Sequence, residues 1–295
     1  MKYSKKYSIF LFFLFFTTAA AAYNLLLDDK RYQKETPYGN ERELKVNIES
    51  AFGKLVIGKC DDENVFSYDV LRNPKLGDPT DQIKYTIIDR IGYLEIPSPG
   101  SEQSKKKSFH ISSIESEKWI LDLTGRIPIS LDIQLGAGKG NFDFTGLKLK
   151  DLDISTGASS VTIMFNKLNQ QTIENLNIET GVSRFKAYNL SNANFNKLKF
   201  SGGIGSYELD FSGELNKEVD VDIEIGLGSI TILIPKYVGA KVYYEKNWIS
   251  NIDLDRDFDE AQNNEYVTSN YSGASGKMNI QIEAGFGSVK VKRLK

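Results

Sequence analysis

A short pattern centred on glycine recurs along this chain of 295 residues, and it restricts the fold more than any other feature. Each copy reads apolar, any, apolar, two residues, glycine, any, small, any, and then apolar residues at alternate positions. The central glycines of five successive copies lie 21, 24, 22 and 23 residues apart. A nearly constant period of this length is typical of folds built by stacking similar units. The five central glycines are Gly136, Gly157, Gly181, Gly203 and Gly226.

Two further copies frame this block, so the repeat extends over most of the chain. VNIESAFGKLVI has Ala51 in place of the central glycine, and IQIEAGFGSVKV has Gly285 at its centre. Two positions depart from the pattern, because Gly140 stands where an apolar residue is expected and Asn189 ends its copy with a polar one. Neither departure removes a copy from the series.

Apolar residues at every second position predict strands, since successive side chains of a strand point to opposite faces. Ile223, Ile230 and Ile232 would then share an interior, while Glu224 faces outward. Glycine fits where one short strand turns into the next, because it tolerates positive φ and close approach of neighbouring backbones. Phosphate binding by a GxG sequence would need a helix after the glycines, and a strand pattern follows instead.

The length of the repeat sets the architecture that we predict. About 22 residues leave room for two short strands and two turns, stacked on the next unit about 4.8 Å away. A coil with parallel pairing and an antiparallel meander both satisfy this spacing, and the similarity of successive units favours the coil. We therefore predict an all-β, stacked-strand β-solenoid of roughly 22-residue repeats, preceded by an N-terminal β sub-domain.

The same pattern divides the chain into segments. Residues 1–22 read as a signal peptide, and residues 23–125 as an N-terminal β sub-domain of shorter strands separated by turn residues. Residues 126–295 form the predicted solenoid, with an insertion at 241–276. The aromatic side chains of this insertion would either form a platform for a sugar or peptide or cover the open end of the stack. They are Tyr243, Tyr244, Trp248, Tyr266 and Tyr271.

The N-terminus predicts secretion. MKYSKKYSIFLFFLFFTTAAAA has three lysines before an apolar block that ends in small residues, which is the pattern of a cleaved signal peptide. The block is shorter than the roughly 20 residues that a membrane-spanning helix needs. We therefore expect cleavage after Ala22, no membrane span after cleavage, and an extracytoplasmic location in the periplasm or at the cell surface.

Charge and cysteine content exclude several functions. The net charge is −2, and the one basic run is Lys105-Lys106-Lys107, so we expect no nucleic-acid partner, which would require clustered cations. The single cysteine, Cys60, has no intramolecular partner for a disulfide. It precedes two aspartates that disfavour its thiolate, so we predict an unreactive side chain.

No motif for catalysis or a cofactor occurs. The alternating Asp253, Asp255, Asp257 and Asp259 suggest a calcium loop, and the sequence leaves open whether the first three bind a cation. Such a loop needs a glycine at its sixth position and a carboxylate at its twelfth, where this chain has Phe258 and Asn264. His110 is the only histidine, which is too few for a zinc site or a serine triad. We predict no catalytic, cofactor-binding or metal-binding residues.

One long segment resembles a known group of proteins. SEKWILDLTGRIPISLDIQLGAGKGNFDFTGLKLKDLDISTGASS is similar to the bacterial toast-rack family, which is related to "putative-adhesin" β-solenoids and to the extracytoplasmic part of cell-wall-active antibiotic response proteins. The resemblance covers about residues 43–293. It implies a stacked β architecture on the outer side of a membrane, no established catalytic activity, and no site residues that could be carried over.

The expected function is a secreted, non-catalytic module of the cell envelope or surface, with an adhesin-like structural or interaction role. Its partner would be an envelope protein or a glycan. One alternative is a periplasmic accessory in an envelope-stress or antibiotic response. A second is a polysaccharide-acting β-helix enzyme, which would need carboxylates that converge in a single cleft.

Overall fold

The computed structural model describes residues 29–74, 77–96, 117–244 and 250–295. These residues are almost entirely β, as the repeat predicts, and form sixteen strands of one hydrogen-bonded sheet. Among them no helix has the length and apolar character needed to cross a bilayer. The strands are β1 (Lys30–Pro37), β2 (Glu43–Lys59), β3 (Asn64–Arg72), β4 (Lys84–Ile88), β5 (Ile91–Ile96), β6 (Lys118–Leu123), β7 (Pro128–Asp143), β8 (Lys148–Met164), β9 (Ile173–Tyr188), β10 (Phe195–Asp210), β11 (Glu218–Pro235), β12 (Gly239–Tyr244), β13 (Ser250–Leu254), β14 (Phe258–Gln262), β15 (Glu265–Thr268) and β16 (Lys277–Leu294).

Seven long strands, called the coil strands below, form the body of the stack. They pair in parallel in the order β2-β7-β8-β9-β10-β11-β16. Parallel pairing confirms the coil that the repeat favours over the meander. One detail differs from the expectation, because each unit contains one continuous strand of 16 to 18 residues where two short strands were expected. Pairing to the neighbouring coil continues on both sides of the central glycine, so no turn separates two strands.

Each coil strand bends at its centre, which gives it a first arm and a second arm. The rings of Phe195, the first residue of β10, and Phe211, which directly follows β10, lie 6.4 Å apart, although a straight strand would separate these two positions by about 53 Å. Nearer the bend, the rings of Phe200 and Tyr207 lie 5.2 Å apart. The two arms therefore face each other across one interior.

The alternation of side chains changes phase at the bend. In β11, Ile223 and Ile225 are buried before the central glycine, and Ile230 and Ile232 are buried after it, so the buried set moves from odd to even positions. This phase change turns the apolar side of both arms toward the same interior. The predicted interior position of Ile223, Ile230 and Ile232 is confirmed, and Glu224 is exposed as expected.

The central glycines form a row along the bend, as the repeat predicts. A Cβ atom on Gly203 would lie 2.7 Å from the carbonyl oxygen of Gly181, and one on Gly226 would lie 2.8 Å from that of Gly203. Both distances are shorter than an ordinary carbon–oxygen contact. The coils approach so closely here that a side chain would push them apart, which is the physical reason for the glycine in each copy.

The departure at Gly140 also has a packing reason. Gly140 is buried at the start of the second arm of β7, and a Cβ atom there would lie 2.7 Å from the ring of Phe142. Phe142 is fully buried and its ring contacts that of Phe144 at 6.1 Å. One large ring therefore fills the volume that two apolar side chains occupy in the other coils.

The residues before the repeat cover the first coil. The first arm of β2 pairs with β5, which pairs with β4, and the second arm pairs with β6, which continues to β3 and β1. A buried ion pair joins Arg72 to Glu117 at 2.7 Å, and the Trp119 indole donates to the same carboxylate. Hydrogen bonding and the core are continuous from these strands into β7, and the boundary at residues 125/126 stays a prediction.

The insertion covers the last coil. β12 pairs with the first arm of β16, and β13 pairs with its second arm, while β15 and β14 extend the sheet beyond β12. Buried Arg293 fixes this arrangement, because its guanidinium donates to Asp257 at 2.8 Å and to the carbonyl of Val238 at 2.8 Å. Further strands therefore pair with both arms of the first and the last coil, which covers those edges of the stack.

Candidate functional site

The bend carries the most distinctive surface of the described residues, and we call it the bend surface. It consists of three rows that run across the seven coil strands, nearly at right angles to them. Neighbouring coil strands pair in register, so equivalent residues follow each other at about 4.8 Å along each row. Each row spans about 29 Å from β2 to β16. The three rows differ in chemistry, and each is described below.

The first row is acidic and lies two residues before the bend. Together with the central glycines it lines a groove of about 1090 Å³ that crosses all seven coil strands. The glycines have no side chains, which leaves open the space that forms the groove. Four of the seven row positions are glutamates, and none is a cation. The row is Glu49, Gln134, Ser155, Glu179, Ser201, Glu224 and Glu283.

The second row is apolar and follows the central glycine directly. Four of its side chains expose between 46% and 60% of their surface, although valine, isoleucine, leucine and phenylalanine are normally buried. They are neighbours on four successive coils, so they form one continuous ridge. The row is Phe52, Ala137, Ala158, Val182, Ile204, Leu227 and Phe286, and the last four form the apolar ridge.

The third row is basic and lies on the second arm, three residues after the central position. It contains three cations and no carboxylate. Because the ridge position lies between them along each strand, the acidic and basic rows lie on opposite sides of the ridge. The cations are on β2, β7 and β9, and the other positions are serine. The row is Lys54, Lys139, Ser160, Arg184, Ser206, Ser229 and Ser288.

Hydroxyl groups lie buried beneath the groove. In β10, glycines replace the threonine and serine of the preceding coil, and Cβ atoms on Gly202 and Gly205 would lie 3.0 Å and 2.8 Å from the Tyr207 hydroxyl oxygen. Tyr207 therefore fills the space that two side chains occupy in β9. Burial raises the pKa of the Tyr207 hydroxyl, and the neighbouring hydroxyls of Thr180 and Ser183 partly offset this rise. The phenol stays protonated, which suits a structural role.

The carboxylates of the groove are arranged side by side. Glu224 and Glu283 are register neighbours on adjacent coils. Glu179 lies in the same row, two coils away from Glu224. Lys199 lies 4.0 Å from Glu224 on the exposed side. Carboxylates in a row on one side of a groove can bind a partner that presents cations or hydrogen-bond donors. In glycoside hydrolases, by contrast, the two catalytic carboxylates lie on opposite sides of the bond that is cleaved.

The acidic loop considered as a calcium site is bound to two basic residues of β16. Lys292 contacts Asp253 at 2.9 Å and Asp255 at 3.6 Å, and the backbone N–H of Arg293 donates to Asp255. Asp257 accepts from the Arg293 guanidinium, as described above. These contacts use the carboxylates that a cation would need. Within the described ranges, no group of three or more metal-ligating side chains comes together.

Among the described aromatic residues of the insertion, the four tyrosines do not form one platform. Tyr244 is buried and Tyr243 is 41% exposed, because successive residues of β12 face opposite sides. Tyr266 packs against the core, and the ammonium groups of Lys241 and Lys277 lie 5.3 Å and 5.5 Å from the centre of the Tyr271 ring. These positions fit the covering role that the sequence also allowed.

Several predicted features lie outside the described residues. They are the signal peptide at 1–22, Lys105 to Lys107, His110 and Trp248. Cys60 is buried and its Sγ contacts the carbonyl of Asn64 at 3.4 Å. Burial raises the pKa of the Cys60 thiol to about 11, in agreement with the predicted lack of reactivity.

Sequence reasoning missed the bend surface. Its signal was present, because aligning the copies at the central glycine places Val182, Ile204 and Leu227 in one column and Glu179 and Glu224 in another. The missing information was the phase change at the bend, which turns the column after the glycine outward. Strict alternation does not predict two successive exposed positions.

The architecture and the bend surface define the class: a capped β-solenoid with parallel coils and no recognisable catalytic site among the described residues. The family model described as the N-terminal domain of toast_rack, DUF2154, matches residues 27–186 and 165–233. The chain therefore belongs to the toast-rack family, as its sequence suggested.

Solved structures of low sequence identity are also similar to this chain. A Clostridium sporogenes protein described as a "putative cell adhesion protein" is 24% identical over 90% of this chain and 100% of its own, with a TM-score of 0.45. A Bacteroides fragilis "putative adhesin" is 12% identical over 89% and 97%, with a TM-score of 0.38. A Parabacteroides distasonis "putative lipid binding protein" is 11% identical over 91% and 97%, with a TM-score of 0.32. No protein with a curated description matches the sequence.

Proposed function

We propose that this chain is an extracytoplasmic, non-catalytic module with an adhesin-like role in the cell envelope or at the cell surface, and that the bend surface is its contact site. The observation that carries the proposal is the apolar ridge of Val182, Ile204, Leu227 and Phe286, exposed in one row. Contiguous exposed apolar patches on stable proteins mark interaction sites. A ridge between an acidic and a basic row also supplies the polar rim that protein interfaces have.

The rigidity of the bend supports an interaction role. Val182, Ile204 and Leu227 sit on coils that are paired with coils on both sides, and Phe286 is in register with Leu227 on the last coil, so the backbone of the row is fixed without a partner. A preorganised surface loses little conformational entropy on binding, which favours affinity. Repeats that line up equivalent side chains suit a partner that is itself extended, such as an envelope protein or a glycan chain.

The arrangement of the groove favours binding over catalysis. Its glutamates stand in one row on one side of the groove, and the glycines of the floor carry no side chain that could act as an acid, base or nucleophile opposite them. The secretory pattern of residues 1–22 and the family's expected location on the outer side of a membrane favour an extracytoplasmic site of action.

A complementation experiment tests this proposal. The gene is deleted and restored with the wild type, with the double variant Ile204→Asp/Leu227→Asp, or with Ile88→Asp as a matched control. Ile88 is 58% exposed on β4, away from the bend. We expect deletion and the double variant to lose attachment of cells to a surface or to other cells, and the control to keep it. Cell fractionation verifies that each variant reaches the same compartment in the same amount.

Two outcomes would contradict the proposal. Normal attachment by a normally located Ile204→Asp/Leu227→Asp variant would remove the ridge as the contact site. A change in sensitivity to envelope-directed antibiotics with unchanged attachment would favour the accessory role in an envelope response.

A further inference from the structure

The bend surface has a charge pattern that is complementary to itself. On each coil, the residue of the acidic row and the residue of the basic row flank the same ridge position. On β2 they are Glu49 and Lys54, and on β9 they are Glu179 and Arg184. The other five coils place glutamine with lysine, serine with serine, or glutamate with serine. No coil has like charges in its two rows.

We propose that the partner of the bend surface is a second copy of this chain, bound edge to edge with both stacks running in the same direction. This inference rests on the proposed function, because it names the partner of the same surface. The twofold axis lies parallel to the stack, and the apolar ridge of each copy packs against that of the other.

The direction of the stacks follows from the charges. Rotation about an axis parallel to the stack brings the acidic row of one copy opposite the basic row of the other, with every coil facing its own equivalent. Rotation about an axis across the stack brings acidic row against acidic row instead. Like charges that face each other at an interface cost several kcal/mol, so only the parallel arrangement is favourable.

In the parallel arrangement, each charge finds a suitable partner. Glu49 faces Lys54 of the second copy, Glu179 faces Arg184 of the second copy, and the twofold axis repeats both pairs. Glu224 and Glu283 face serine hydroxyls, which can donate to carboxylates. At the centre, Val182, Ile204, Leu227 and Phe286 are removed from water together, which provides the main attraction.

A second copy explains the position of the ridge better than a generic cationic partner does. An acidic groove alone would fit any basic chain, but the basic row on the other flank would repel it. A copy of the same chain presents both signs, in the correct order, at the same repeat of about 4.8 Å. Homophilic association of this kind would let modules on two surfaces hold each other.

Sedimentation velocity of the full-length chain over a concentration series tests the association. We expect a monomer–dimer equilibrium at low ionic strength that weakens with added salt. Ile204→Asp should abolish the dimer, and the control Ile88→Asp should leave it unchanged. A monomer at every concentration and salt would overturn the inference.

A charge exchange tests the direction of the stacks. Glu179→Arg alone, or Arg184→Glu alone, brings like charges together at two symmetric places and should weaken the dimer by about tenfold or more. The double variant Glu179→Arg/Arg184→Glu exchanges both signs and should restore it. Failure of the double variant to recover, with a normal urea unfolding midpoint for all three proteins, would refute the parallel arrangement.

Cross-linking gives an independent measurement. Val182→Cys and Phe286→Cys lie three coils apart on the ridge, and in the parallel arrangement each faces itself. A short bismaleimide should therefore join each variant to its own copy, and buried Cys60 should not react. Cross-linking of neither variant would overturn the inference. If the chain is monomeric while ridge variants still lose cell attachment, the proposed function stands and its partner is another molecule.

Discussion

Substitution of glycines separates the two physical reasons for their presence. Gly226→Ala introduces a Cβ atom 2.8 Å from the Gly203 carbonyl oxygen without a positive φ, about 0.6 Å inside an ordinary contact. Gly77→Ala introduces one in open space where φ is +84°. Gly228→Ala combines both, because φ is +138° and the new atom would overlap the carbonyl oxygen of Gly205. Gly273→Ala has neither problem and is the matched control.

The magnitudes follow from these geometries. Overpacking costs about 1–3 kcal/mol, and a strained φ costs a further 1–3 kcal/mol, roughly. We therefore expect about 1–3 kcal/mol for each of Gly226→Ala and Gly77→Ala and about 2–6 kcal/mol for Gly228→Ala. Gly273→Ala should be neutral or slightly stabilising, by up to about 1 kcal/mol. Because whole domains are stable by only about 5–15 kcal/mol, Gly228→Ala consumes a large part of that margin.

Urea unfolding followed by far-ultraviolet circular dichroism measures these values. The midpoints should fall in the order Gly273→Ala, then the two single-cause variants, then Gly228→Ala, with similar slopes. Equal midpoints for Gly228→Ala and Gly273→Ala would show that the coils can separate at the bend without cost. In that case the glycine row would not be required for stacking.

Three further predictions concern buried polar groups. Arg72→Met should lower the free energy of unfolding in urea by about 3–5 kcal/mol, because it leaves the Glu117 carboxylate buried without its cation. The double variant Arg72→Met/Glu117→Gln should recover part of this loss. An unchanged urea midpoint for Arg72→Met would contradict the prediction. Arg293→Met should loosen the insertion, because it removes the hydrogen bonds from the guanidinium to Asp257 and to the carbonyl of Val238. Amide hydrogen exchange should therefore accelerate in residues 250–268 and stay slow in residues 131–233. Equal acceleration in both ranges would argue against a local cap. Burial raises the Cys60 pKa above its ordinary 9.0 to about 11, so its contribution to stability is complete below about pH 9 and is lost as pH rises toward 11. The urea midpoints of wild type and Cys60→Ala should converge over that range, and parallel profiles would exclude a role for the thiol.

The repeat predicted most of the central fold because it records contacts between equivalent positions. Ile223 and Ile230 alternate with polar residues in every copy, and only a strand that buries one face requires this. The spacing from Gly157 to Gly181 to Gly203 to Gly226 indicated a row of close approaches, and the row exists. Local pattern and tertiary contact coincide here, because each coil repeats the environment of the one before it.

The insertion and the candidate site were less accessible. The sequence offered both a platform and a cover for the aromatic residues of 241–276, and the pairing of β12 and β13 with β16 fits the cover. That pairing joins residues far apart in the chain and has no period. The apolar ridge was not predicted because unbroken alternation from Ile223 and Ile225 would bury Leu227 as well. The change of phase at the bend exposes it instead.

The sequence by itself determined that this chain stacks similar units of β-strand with glycine where neighbouring units meet most closely, and it favoured parallel coils without excluding a meander. A single unit leaves its apolar side chains exposed, and stacking similar units gives them one continuous interior. The repeat therefore indicates that the units stack. Only the tertiary structure decided which residues reach the surface at the bend. The side-chain phase there depends on how a continuous strand reverses its direction, and no single copy of the repeat specifies that geometry.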